Sequence, residues 1–216
     1  MMWEMIVLFH KDDLETPIPT QRDTFYANRR TTYESFFVSV IDMFIFNKYW
    51  ETLVQKRAKT KKTSPGLYHT SVGGHVNEGD TPQLTLIKEC LEEVGAPCTL
   101  IEDEQLFLHA YRQIGEYTSS FVLAYPQAMI KHTSYLEADR AWREVRIQDM
   151  MYFCLGLYNG PIHNTDRSAD GFEWFTLDAL KKALYDVPWV FTPSYHVLFE
   201  RFEEDMRIFV EKYCRG

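Results

Sequence analysis

An almost unbroken apolar run covers residues 35–46, rich in aromatic and β-branched side chains. Such a run predicts a strand buried on both faces, because a half-exposed strand would alternate polar and apolar positions. Upstream, residues 3–9 are strand formers closed by Lys11-Asp12-Asp13, and Pro17 and Pro19 predict an irregular crossing. Residues 22–33 are polar, with Arg22, Arg29 and Arg30 close together, and read as a solvated loop or short helix with phosphate contact as the minority role. After 35–46, Asn47-Lys48-Tyr49-Trp50 forms a turn and residues 52–57 return as a second strand. Its alternation places Leu53, Gln55 and Arg57 on one side and Val54 and Lys56 on the other.

The second half reads more mixed. Residues 106–112 and 119–125 are expected as strands joined around Gly115, and residues 129–146, with Trp142 and several charges, as a partly helical insertion. Residues 150–158 form a strong strand ended by Asn159-Gly160-Pro161, and 164–171 a polar loop. Phe172-Glu173-Trp174-Phe175 leads as a strand into a helix from Leu177. Thr192-Pro193 starts a last helix on which Tyr195, Leu198, Phe199, Phe202, Met206, Phe209, Val210 and Tyr213 recur at helical spacing, a stripe for the core or a dimer contact.

The best-punctuated element lies within residues 74–96. Asp80 or Thr81 can N-cap it, Pro82 suits the first turn, Gly95 suits the C′ position and Pro97 stops it. Leu84, Ile87 and Leu91 line one face and Leu86, Cys90 and Val94 the neighbouring one, anchoring the helix on a sheet. Glu89, Glu92 and Glu93 then share what remains, at spacings that bring like charges together. A divalent cation reverses the sign of that repulsion, and hard oxygen donors suit magnesium or manganese.

Composition narrows the classes. The 216 residues carry a net charge of −8, with 45% hydrophobic and 15% aromatic residues. A substantial core is expected, and a broad nucleic-acid surface is not, since that needs a basic face. Cys90, Cys98, Cys154 and Cys214 have no Cys-x-x-Cys spacing, so neither zinc nor a disulfide framework is expected. No stretch has the length to span a bilayer, and the apolar run after Glu4 is too short for a signal segment. The expectation is a soluble, cytoplasmic protein of one domain over residues 1–216.

Gly74, Asp80, Lys88, Glu89, Glu92, Glu93 and Gly95 together resemble the Nudix box, a glycine, five residues, a glutamate, seven residues and Arg-Glu-x-x-Glu-Glu-x-Gly. Asp80 stands in place of the glutamate and Lys88 in place of the arginine. Gln55-Lys56-Arg57, Pro65-Gly66-Leu67-Tyr68 and Ser71-Val72-Gly73-Gly74-His75-Val76 are similar to the branch of Nudix proteins near isopentenyl-diphosphate isomerase.

The resemblance implies an α/β/α sandwich around a mixed β-sheet. Residues 1–34 would be an N-terminal elaboration, 126–148 an insertion and 192–214 a C-terminal helix. It implies a metal-dependent hydrolase of a small-molecule diphosphate, a nucleoside diphosphate linked to another moiety, working with Mg2+ or Mn2+. Glu92 and Glu93 would bind the metal with the Gly74 carbonyl, and Glu89 would be a third ligand or the base that orients the water. Lys88 takes the place of an arginine that orients the catalytic glutamate, keeping the charge without the fork. Arg57, Lys56 and His75 would meet substrate, Arg57 with a surface salt bridge as the equal alternative. A base from outside the box could come from Glu137, Glu144, Asp166, Asp170 or Glu173. Tyr111, Phe172 and Trp174 are candidates to stack on a nucleobase, with core packing favoured for each. A homodimer is compatible with the stripe on the last helix. Two other readings stand: a non-catalytic ligand-binding domain, suggested by Lys88 and Asp80, and an isomerase, disfavoured because Gly73 stands where a cysteine is needed.

Overall fold

A computed structural model of the chain describes residues 4–138 and 144–213. Side chains are described for these except 130–134, 136–138, 144 and 145. In chain order the strands and helices begin with β1 (Met5–His10), β2 (Asp13–Gln21), α1 (Arg22–Ser35), β3 (Phe36–Phe46) and β4 (Glu51–Arg57). Next come β5 (Tyr68–His69), β6 (Val72–His75), α2 (Pro82–Glu89), β7 (Cys98–Leu100) and α3 (Glu104–Ile114). The chain closes with β8 (Val122–Ala138), β9 (Glu144–Leu157), β10 (Ala169–Thr176), α4 (Leu177–Asp186) and α5 (Pro193–Tyr213).

The ten strands share one mixed sheet whose main path runs β10-β4-β3-β9-β8-β7, with β3 parallel to β9 and β7 parallel to β8. β3 is its spine and alternates as a strand must. Val38, Val40, Phe44 and Phe46 join a core with α1, α3, α4 and α5. Ile41, Met43 and Ile45 join a second core with Leu86 of α2, Cys90 and Val94. Helices thus cover both faces, the expected α/β/α sandwich. All eight stripe residues of α5 are buried in the larger core, which accounts for the stripe.

Several local expectations are corrected. Residues 13–21 form a strand, not an irregular crossing: β2 pairs only with β1, and an edge strand tolerates Pro17 and Pro19. Residues 22–35 take the helical one of the two expected forms, but the helix is longer than a short one and buries Phe25, Arg29 and Tyr33. The strand expected at 106–112 is α3, because Asp103 caps the Leu106 N–H at 2.8 Å and Phe107 alone turns fully into the core. The described part of 129–146 is strand rather than partly helical, the antiparallel β8–β9 pair. Trp142 lies outside the described residues, as do Trp3 and Cys214. Leu84 and Leu91 are 41% and 46% exposed, so α2 anchors by its Leu86 side alone. Cys90, Cys98 and Cys154 are free thiols. No helix among the described residues is long and apolar enough to cross a membrane.

Candidate active site

β3 and β4 are neighbours in sequence yet pair only at Phe46↔Thr52. Beyond that point they splay, and the gap is filled by β6, which pairs with β3 from Val40 to Met43, and by β5, which pairs with β4. A cleft of about 490 Å³ opens there, bounded by α1, α2, the 58–66 loop and the first turn of α5. Gly74, Glu89, Glu92, Glu93, Lys88, Arg57 and His75 all line it.

The local sequence fixes the box rigidly. Thr81 caps α2 by accepting from the Leu84 N–H at 3.2 Å. The last turn, Cys90–Val94, is a π-helical turn, and Gly95 ends it at φ 77° with its N–H on the Cys90 carbonyl at 3.0 Å. All three carboxylates line the cleft, and Glu92 and Glu93 lie on this π turn while Glu89 precedes it. Glu93 is 4% exposed and accepts the Gly73 N–H at 3.0 Å. Glu89 lies flat on Gly74, where any Cβ would overlap its carboxylate. Glu92 is exposed, and its backbone carbonyl holds Thr165 N–H at 2.9 Å, docking the loop that carries Asp166 into the cleft.

Electrostatics follow from this crowding. Burial, then Glu93, Glu92 and Asp166, push Glu89 up to about 8. Burial raises Glu93 also, against the Gly73 hydrogen bond and Lys61. His75 is pushed down to about 3 by burial and by Arg22, Arg57 and Lys61, so it is neutral. On the opposite face of β3, burial raises Asp42 to about 8 although Thr70 donates a hydrogen bond to it. The same burial holds His69 well below its ordinary value.

Two expected roles change. Lys88 contacts none of the three glutamates in these hydrogen bonds; its Nζ lies 2.7 and 2.8 Å from the two oxygens of Asp80. The two departures from the box are thus each other's partners, and Lys88 steadies the turn into α2. Lys56 lies off the cleft, its Nζ 5.7 Å from the Tyr68 ring, because β4's alternation turns it to the other face. Arg57 does face the cleft, with Nε and Nη2 each donating to Thr63 at 3.2 Å.

Of the outside base candidates, Asp166 lines the cleft. Asp170 accepts the Lys59 N–H at 3.2 Å and Glu173 accepts from Tyr68, both off the cleft. The side chains of Glu137 and Glu144 lie outside those described. Phe172 and Trp174 pack on the α2-side core and Tyr111 on the other, so none stacks in the cleft. Sequence reasoning missed Asp42, His69, Lys61, Thr192 and Ser194, which line the same cleft. The lone aspartate inside the apolar run 35–46 was the available signal for Asp42.

The donor chemistry fits a hard divalent cation: three carboxylates and Gly74 line one cleft, and burial with its acidic neighbours destabilises Glu89 as an anion. Among the described residues, no three Asp, Glu, His or Cys side chains already converge on one point. Glu89 and Glu93 are instead turned onto Gly74 and Gly73.

The chain is similar in fold to the crystal structure of DR0079 from Deinococcus radiodurans, with a TM-score of 0.63 at 18% identity over 92% of this chain and 98% of that one. A stretch of 55 residues is 36% identical to isopentenyl-diphosphate Delta-isomerases of Salmonella heidelberg and Salmonella schwarzengrund. That stretch is 26% of this chain and 30% of those enzymes, so the chain spans under a third of their length. The sequence profile of the NUDIX domain matches residues 37–195, from the second residue of β3 into the first turn of α5, and takes in the cleft's walls apart from α1 and the chain before it. The chain belongs to the Nudix family.

Proposed function

We propose that this protein hydrolyses a diphosphate linkage in a small molecule, with Mg2+ or Mn2+ held by Glu89, Glu92, Glu93 and the Gly74 carbonyl. The observation that carries the reading is the joining of an acidic wall, Glu89, Glu92, Glu93 and Asp166, to a basic one, Arg57 and Lys61, in one cleft. A bound divalent cation would supply positive charge beside the diphosphate and make a water more acidic. Arg57, tethered by Thr63, supports the reading as a phosphate donor that is already positioned. The neutral His75 contributes hydrogen bonding without adding charge.

Water adds its oxygen to one phosphorus, and the bridging P–O bond breaks with its electron pair on the departing phosphate oxygen. The water's proton is taken by a carboxylate oxygen of Glu89 or Asp166. Glu89 would serve once positive charge in the cleft offsets the burial and the acidic neighbours that keep it protonated.

The test is a panel of diphosphates with Mg2+ or Mn2+, read as release of phosphate or nucleoside monophosphate. Product is expected, and Glu93→Gln should lower turnover by about a hundredfold or more, the scale of losing a charged group from a reaction centre. Ligand-induced thermal stabilisation without product from any diphosphate would sink hydrolysis and favour a ligand-binding domain. The isomerase reading has the 36% identical stretch in its favour. Against it, Gly73 offers no thiol.

A further inference from the structure

We propose that Gln55 is a positioning residue whose side-chain amide ties the loop carrying Asp166 to Glu93, holding both acids in place from behind the cleft. The roles of Glu93 and Asp166 in this inference rest on the proposed hydrolysis; the tie itself is a matter of contacts. Gln55 sits on β4, where its backbone pairs with His69 of β5 on one edge and Phe172 of β10 on the other. A strand held on both edges fixes where its side chains start. Gln55 is 1% exposed and is not among the residues lining the cleft, so it acts only through its neighbours. Leu53 and Val54 before it are fully buried, and an apolar side chain would fill the place without losing hydration. A buried amide there needs partners, and it has two.

One partner is the loop. Gln55 Nε2 donates to Ser168 Oγ at 3.4 Å, and Ser168 is itself buried. The Ser168 N–H donates to Asp166 Oδ1 at 2.8 Å, and its hydroxyl donates to Asn164 Oδ1 at 3.3 Å. Its carbonyl accepts the Ala58 N–H at 2.9 Å, which fastens this end of the loop to the strand. The other end rests on the box helix, where the Thr165 N–H and hydroxyl both donate to the Glu92 carbonyl at 2.9 Å. Between these anchors Arg167 takes φ 58°, a left-handed backbone that a residue other than glycine keeps only where its surroundings hold it. Asp166 is thus carried on a short segment fastened at both ends.

The second partner is Glu93. Its Oε2 accepts the Gly73 N–H at 3.0 Å, and the Gln55 side chain supplies a further hydrogen bond. An amide nitrogen carries two hydrogens, so one side chain can serve Ser168 and Glu93 together. Of side chains this size, a glutamate would repel Glu93 and a leucine would serve neither partner. Groups that orient a metal ligand or a base from behind are worth about ten- to a hundredfold in metal affinity or activity.

The test uses the full chain with two substitutions: Gln55→Leu, which keeps the bulk and removes the donors, and Ser168→Ala, which breaks only the loop side. Three quantities are read: amide hydrogen exchange at Ala58 and Thr165, Mn2+ binding by titration calorimetry, and kcat and KM on a diphosphate that the wild type cleaves. Gln55→Leu should speed exchange of both amides and weaken Mn2+ binding about tenfold each. It should lower kcat about tenfold or more with KM within about threefold, while exchange in α5 stays as in wild type, which separates the tie from general loosening. Ser168→Ala should speed the same two amides and lower kcat, with Mn2+ affinity within about twofold of wild type. Unchanged exchange in either variant, or unchanged Mn2+ affinity in Gln55→Leu, would overturn the inference. If Gln55→Leu does not fold, exchange in Ser168→Ala decides: faster supports the tie, unchanged rejects it. If exchange and Mn2+ affinity shift as expected but the wild type cleaves no diphosphate, the tie stands and the hydrolase reading falls. If both variants turn over at the wild-type rate, the positioning role falls and the hydrolase reading stands.

Discussion

Glu89 and Glu93 show how one residue type acquires different uses from its surroundings. Glu93 is buried and held by a backbone N–H, so its position is set before any ligand arrives. Glu89 has only glycine beneath it and three acidic neighbours, so it is the strained member of the group. Gly74→Ala should displace the Glu89 carboxylate and cut turnover at least about tenfold, as misplacing a reacting group does, while Tm stays near that of wild type. An alanine variant with full activity would show that Glu89 does not act from this position. Lys88 is half-exposed and paired to Asp80, so Lys88→Ala should cost about 1 kcal/mol or less in urea denaturation, as surface pairs do. A loss far larger than that would mean the pair holds more than the turn into α2.

At the scale of the element, the box is a helix whose two ends are both specified. Thr81 supplies the N-terminal acceptor, and Thr81→Ala is expected to cost about 1 kcal/mol by denaturant midpoint. Gly95 is demanding in two ways: its φ is 77°, and a Cβ would press on the His163 backbone carbonyl. Gly95→Ala should therefore cost about 1–3 kcal/mol, the range for a side chain forced into left-handed backbone. Its effect should reach activity as well, because His163 N–H bonds Val94 O at 2.8 Å and the same loop brings in Asp166. A neutral Gly95→Ala in both assays would contradict this account of the helix end.

For the whole molecule, the sheet separates two cores and the cleft interrupts it where β3 and β4 part. The cleft gathers acids that burial holds protonated, and this has a measurable sign. Asp42 and Glu89 are both raised to about 8, so between their ordinary values and 8 the folded chain binds more protons than the unfolded chain. Stability from these groups is present at low pH and is lost as pH rises towards 8. His75, lowered to about 3, acts oppositely, but only below the ordinary histidine range. Between about pH 7 and 8 the carboxyl groups dominate, so Tm without metal should fall over that interval, and added Mg2+ should lessen the fall. A Tm that rises from pH 7 to 8 without metal would refute the assignment.

What the sequence determined by itself was whatever is written in local order. The spine β3, the alternation of β4, the caps of α2, the start of α5 and the spacing of Glu89, Glu92 and Glu93 all depend on residues within a turn or a strand of one another. Where local signals conflicted, the tertiary structure decided. Residues 106–112 have strand-like composition yet form α3, because a cap and one buried Phe107 outweigh propensity. Pro17 and Pro19 argue for a loop, yet an edge strand leaves their missing N–H groups harmless. The box spacing did not show that the helix would end in a π turn or that Lys88 would choose Asp80. Least legible was the polar cluster in which Asp42, His69 and Ser194 meet across β3, β5 and α5. Contacts of that range leave no period in a sequence, since only the folded sheet fixes how far apart such residues lie.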